Sequence, residues 1–179
     1  MIDVLMVPGF TGSGPDHWQS IWQRSDSGMR RVSQRDWDHP HAAEWISTIE
    51  STIRHASRPL VLVGHSLGSI AIVHWSRLYG SALVRGALLV APSDTESSAA
   101  PEEIRRFGSV PNDKLPFLSI VVASENDEFL HWRRAREFAT AWGSEIVSAG
   151  SAGHLNTASG HGPWPEGLEL LRQLQGRCS

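Results

Sequence analysis

The sequence predicts an α/β fold with a mostly parallel sheet. Short apolar runs rich in β-branched residues alternate with longer segments of helical period, and 179 residues suffice for one compact domain over 1–179 rather than two. The strands fall at Asp3–Val7, Arg30–Ser33, Leu60–Val63, Val84–Val90, Phe117–Ala123 and Glu145–Ser148. Between the second and third, Ala42, Trp45, Ile46, Ile49 and Ile53 recur at helical spacing behind Pro40 and His41, a stripe suited to one face of the sheet. Leu67–Tyr79 is apolar nearly all round and stops at Gly80, so it belongs at the centre of the domain. Trp132, Ala135, Phe138, Ala139 and Trp142 form a further stripe ending at Gly143, and Arg133, Arg134 and Arg136 opposite it read as a solvated face. The one long irregular stretch, Pro92–Pro116, holds a short helical piece near Glu102–Phe107 and is the sole candidate for a lid; with Ser93, Asp94, Glu96, Ser97 and Ser98 leading into Glu102 and Glu103 it is polar and is expected to offer substrate no apolar wall, so little or no lid is expected.

Composition excludes several classes. A net charge of −3 provides no field for nucleic acid, and apolar stretches such as Gly86–Pro92 are far shorter than the roughly 20 residues a membrane span needs. Met1 leads into an apolar run without a basic segment, and the lone Cys178 rules out an internal disulfide, which together suggest a cytoplasmic protein. Cys178 also sits at an end expected to fray, an unsuitable place for a cysteine nucleophile.

Gly64-His65-Ser66-Leu67-Gly68 fits G-x-S-x-G, and its setting gives the pattern its force: a buried strand, Leu60–Val63, runs into it and the apolar helix leaves it. Glycines at 64 and 68 allow a sharp strand-to-helix turn that lifts the Ser66 hydroxyl above the strand ends, the nucleophile elbow of an α/β-hydrolase. The helix N-terminus beyond it offers the Leu67 N–H to a developing oxyanion. A second donor is expected from the glycine-rich loop Pro8–Gly14, at Phe10, with Thr11 the runner-up. That loop lacks the Lys-Ser/Thr ending of a Walker loop and the spacing of a dinucleotide site, so no nucleotide cofactor is expected. With sheet order 2-1-3-4-5-6, the crevice at the reversal lies between this loop and the elbow, in a three-layer sandwich.

A serine nucleophile needs an imidazole to take its proton and a carboxylate to fix the imidazole tautomer. In this fold the order is Ser, acid, His, which leaves His131, His154 and His161. His154, in the loop Ala149–His154 after the last strand, takes the role, with His161 as the alternative. Strand five runs into Ser124-Glu125-Asn126-Asp127, and Asp127 is the better-placed acid, Glu125 the fallback; the competing reading of Asp127 is a helix N-cap. Trp18 and Trp164 adjoin these loops and are expected, with Thr11, to contact substrate. Asp36, Asp38, His39 and His41 cluster in sequence without a coherent ligand geometry, so no metal is expected.

Four blocks then resemble a known family, the small serine hydrolases that include the retinoblastoma-binding-protein hydrolase and related bacterial esterases. They are Val7–Ser13 with His17-Trp18-Gln19, Asp36-Trp37 with Pro40, Gly64–Gly68, and Gly153-His154-Leu155-Asn156 with Gly160, Trp164-Pro165 and Gly167. The resemblance implies an α/β-hydrolase fold without a lid, Ser-Asp-His catalysis on a small acyl substrate by a carboxylesterase or an amidase-like enzyme, Asp127 as the acid and His154 rather than His161 as the base. The Leu-x-Cys-x-Glu motif for retinoblastoma binding is absent, and no such partner is implied.

Overall fold

The computed structural model describes residues 2–178. Six parallel strands, β1 (Asp3–Val7), β2 (Met29–Arg31), β3 (Leu60–His65), β4 (Val84–Val90), β5 (Leu118–Ala123) and β6 (Glu145–Ser148), form one sheet in the order β2-β1-β3-β4-β5-β6. The expected order holds, and the strand bounds shift only locally. β3 runs on through Gly64 and His65 because both still pair with β4, at Leu89 and Val90, carrying the ladder to the foot of the turn.

Side chains alternate across the sheet with the strand period, and each face has its own core. Leu5, Val7, Leu60, Leu62, Ala87, Leu89, Val121 and Ala123 point to one side. There they meet α2 (Ala42–Arg54), α3 (Leu67–Leu78) and α5 (Trp132–Trp142). Val4, Met6, Val61, Val63, Leu88, Val90, Ile120 and Val122 point to the other, toward α1 (Trp18–Ser25) and α6 (Pro165–Cys178). The three-layer α/β-hydrolase sandwich follows from this period-two apolar pattern, because a sheet buried on both faces needs helices on both.

α1 and α6 escape the sequence reading. α1 buries only Trp18 and Trp22 among its apolar residues, and α6 buries little beyond Gly167, Leu171 and Leu174 along its length. The expectation of a frayed end fails at Cys178, which closes α6 half-buried and donates its thiol to the Arg85 carbonyl at 3.2 Å.

Two further expectations are corrected. Arg134 is no free member of a solvated face: its guanidinium lies 4.5 Å from the Phe138 ring centre and pairs with Asp94, Glu96 and Glu137. It thereby ties the segment after β4 to α5. That segment, with its short α4 (Glu102–Arg105), is also less polar in effect than its composition suggests, since Ile104, Phe107, Val110 and Leu115 are buried against the core.

Candidate active site

Ser66 sits at φ 55°, ψ −126°, a conformation that a residue with a Cβ rarely adopts. The chain accepts it because the turn has no room for anything wider. A methyl group at Gly64 would lie 2.6 Å from the Ser69 Cα, and one at Gly68 would lie 2.0 Å from the Val7 carbonyl oxygen. The result is a serine, 7% exposed as a residue, whose hydroxyl is held over the strand ends.

The loops after β5 and β6 are stitched together, and this brings Asp127 to His154. Ser124 Oγ accepts the Ala152 N–H at 2.9 Å, Asn126 Oδ1 accepts the Gly153 N–H at 2.8 Å, and the Gly150 carbonyl accepts the Glu125 N–H at 2.8 Å. His154 Nδ1 then faces the Asp127 carboxylate at 2.9 and 3.0 Å, while His154 Nε2 lies 2.9 Å from Ser66 Oγ. The Asp127 side chain is fully buried and also accepts the Phe129 N–H at 2.9 Å. It is not the N-cap of α5, a place taken by His131. The alternatives lie elsewhere: Glu125 accepts a bond from Ser148 Oγ, and His161 faces Ser159 Oγ.

The glycine-rich loop closes on the elbow from β1. A methyl group at Gly9 would lie 2.7 Å from the His65 carbonyl oxygen and 3.2 Å from the Leu67 nitrogen, so only glycine allows the approach. In this loop the Thr11 N–H is taken by the Trp37 carbonyl at 2.9 Å and the Gly12 N–H by the Gly9 carbonyl at 2.9 Å, while the Phe10 N–H has no backbone acceptor among the described residues.

A cavity of about 250 Å³ opens over Ser66 and His154. Phe10, Pro101, Ile104 and Phe129 form its apolar walls, and Thr11, His17, His65 and Asn156 its polar ones. Pro101 and Ile104 correct the expectation that the stretch 92–116 can offer no apolar wall.

Trp18 and Trp164 are placed differently from the expectation. Trp18 is wholly buried and Trp164 7% exposed, stacked with Trp22 beneath the site and absent from the cavity wall. Trp18 braces the site instead, donating its indole N–H to the Leu155 carbonyl at 2.9 Å, next to His154.

Three site residues are missed by the sequence reading. Gln19, fully buried, donates to the Val63 carbonyl at 3.0 Å and accepts from Ser13 Oγ at 2.6 Å, fastening the glycine-rich loop to the end of β3. His17 caps α1 through Nδ1, which accepts the Gln19 N–H; its buried Nε2 has no partner among the described residues. The His-Trp-Gln run was visible but carried no chemistry by itself. The third is Ser93, whose hydroxyl lies 2.8 Å from that of Ser66; it stands in an irregular segment with nothing to single it out.

Burial holds the histidines behind the site neutral. His17 is pushed down to about 4 by burial first, then by the charges of Arg31 and His154. His65 is lowered well below the usual value by burial and by His154 and His17, and its Nε2 contacts the His154 carbonyl at 2.9 Å. Asp36 serves its own loop, accepting the N–H groups of Asp38 and His39, both at 2.9 Å.

Comparison with known proteins agrees with this architecture. Across 99% of this chain and 92% of its own, a YdeN-like hydrolase from Pectobacterium atrosepticum is 31% identical, with a TM-score of 0.89. The ydeN gene product of B. subtilis is 18% identical over 98% of this chain and 100% of its own, TM-score 0.78. A thermophilic esterase from Thermogutta terrifontis is 16% identical over 98% and 83%, TM-score 0.73, a likeness of fold. No curated protein matches the sequence. Residues 4–173 match the family described as serine hydrolase, and with a 31% identical relative aligned over almost the whole chain, this protein belongs to the serine hydrolase family.

Proposed function

We propose that the chain hydrolyses small carboxylic esters or related acyl compounds through an acyl-enzyme on Ser66. The observation that carries this reading is the continuous hydrogen-bonded line from the buried Asp127 through His154 to Ser66. Asp127 holds His154 with its proton on Nδ1, so Nε2 is free to take the Ser66 proton as Oγ attacks the acyl carbon. The oxyanion settles between the Leu67 N–H, at the start of α3, and the Phe10 N–H. Phe10 is preferred to Thr11 because the Thr11 N–H already has an acceptor. His154 passes its proton to the leaving group, and water, activated by the same imidazole, releases the acid.

A cavity of about 250 Å³ fits a short acyl group. The Thermogutta terrifontis esterase, solved with butyrate bound, shows that the fold can carry ester chemistry; the short-acyl reading rests on this chain's own cavity.

The test is labelling with a fluorophosphonate probe followed by peptide mapping. Label on the Ser66 peptide, lost in Ser66→Ala, is the expected result. Label on another serine, or none, would overturn the assignment.

A further inference from the structure

The hydrogen between Ser66 and Ser93 can be assigned to one of them. With its proton on Nδ1 against Asp127, His154 presents a bare Nε2, and the Ser66 O–H at 2.9 Å is its donor. The 2.8 Å contact between the two hydroxyls is therefore donated by Ser93 and accepted by Ser66 Oγ. Ser93 is 1% exposed, and its hydroxyl makes no other hydrogen bond among the described residues. Its one polar contact is with the reacting atom.

We infer that Ser93 is a further catalytic residue, whose hydroxyl donates to the ester oxygen of the Ser66 acyl-enzyme and speeds its hydrolysis. The inference rests on Ser66 being the nucleophile. In the free enzyme the bond occupies a lone pair of Oγ and gives no help to attack. In the acyl-enzyme Oγ has lost its proton and His154 serves the incoming water, so Ser93 is the side-chain donor left on Oγ. Drawing density from that ester oxygen makes the acyl carbon more electrophilic. Water then forms its bond to this carbon while its proton moves to His154 Nε2. As the carbon–Oγ bond breaks, its electron pair falls on Oγ, which takes the proton back from His154. The Ser93 bond stabilises the charge passing through Oγ, and the products are the free acid and the Ser66 hydroxyl.

The two half-reactions should respond differently, which a packing role would not produce. With p-nitrophenyl acetate, Ser93→Ala should lower kcat and KM together by about tenfold, the worth of one hydrogen bond, and leave kcat/KM unchanged or slightly raised. Acyl-enzyme should accumulate, seen as a larger burst and as acetylated Ser66 peptide after an acid quench. Ser93→Thr, which keeps the donor, should restore deacylation. Ser93→Cys, close in shape and a feeble donor, carries the same expectation if the alanine variant does not fold. Acetylated Ser66 in both proteins with kcat and KM unchanged would overturn the role of Ser93, as would a loss of kcat/KM. No acetyl on Ser66 in the wild-type protein would instead overturn Ser66 as the nucleophile.

Discussion

The Asp127 carboxylate accepts from both His154 Nδ1 and the Phe129 N–H, so an amide in its place can keep the loop while presenting an NH₂ to the imidazole. That favours the tautomer with its proton on Nε2, which cannot take the Ser66 proton. Asp127→Asn should fold normally and lose about 10⁴ in kcat near neutral pH. Glu125→Gln and His161→Ala should keep most activity, because their partners are Ser148 and Ser159. Steady-state rates of the three variants check this, and a strong loss at 125 or 161 with little at 127 would reverse the assignment. At this scale the sequence could choose His154 and Asp127 by order along the chain. It favoured Phe10 over Thr11 without a reason to exclude Thr11, because that reason is the Trp37 carbonyl, which comes from a distant loop.

The elbow is the element with least tolerance. A β-carbon at Gly68 meets the backbone oxygens of Val7 and Pro8 at 2.0 and 2.5 Å, atoms fixed in or beside β1. Gly68→Ala should destabilise by about 3 kcal/mol or more and displace the Ser66 hydroxyl, read by denaturant unfolding and probe labelling. Gly176 is the contrast: exposed inside α6, with nothing within 4 Å of an added methyl group. Gly176→Ala should stabilise by about 0.5–1 kcal/mol, since the helix gains propensity at no steric expense. Equal effects at the two positions would show that backbone contact does not limit the elbow.

Across the whole molecule, burial of neutral histidines makes stability depend on pH. The unfolded chain takes a proton at His17 near 6.5, whereas the folded chain resists until about 4. Between those values the unfolded state binds more protons, so stability falls as pH drops from about 6.5 toward 4, by about 3 kcal/mol from His17. His65, shifted in the same direction, adds to the loss. Urea midpoints at pH 7.5, 6 and 5 should decline, and His17→Asn, which keeps an N-cap acceptor, should flatten the decline. Equal midpoints would show that burial does not exclude the proton. The cavity sets a second expectation. Each buried CH₂ contributes about 0.8 kcal/mol, so kcat/KM along a p-nitrophenyl ester series should rise only while Phe10, Ile104 and Phe129 are being covered, then level off. A steady rise to palmitate, or a jump at the micelle threshold, would show a longer pocket.

The local pattern of the chain determined the strands, the central helices and the elbow, because period-two and helical spacing and paired glycines act on neighbours in sequence, and the sheet order was the one an α/β-hydrolase implies. It also settled Ser66, Asp127 and His154 as candidates, each at the end of a strand whose place in the order was already implied. Only tertiary packing decided the rest. Trp18 and Trp164 were drawn away from the cavity because three indoles, Trp18, Trp22 and Trp164, pack against one another beneath the site, and Ile104 became a cavity wall because Arg134 ties its segment to α5. Ser93 reached Ser66 because the chain leaving β4 passes beside the elbow at the end of β3, a proximity set by the pairing of His65 with Val90 and by no spacing along the chain.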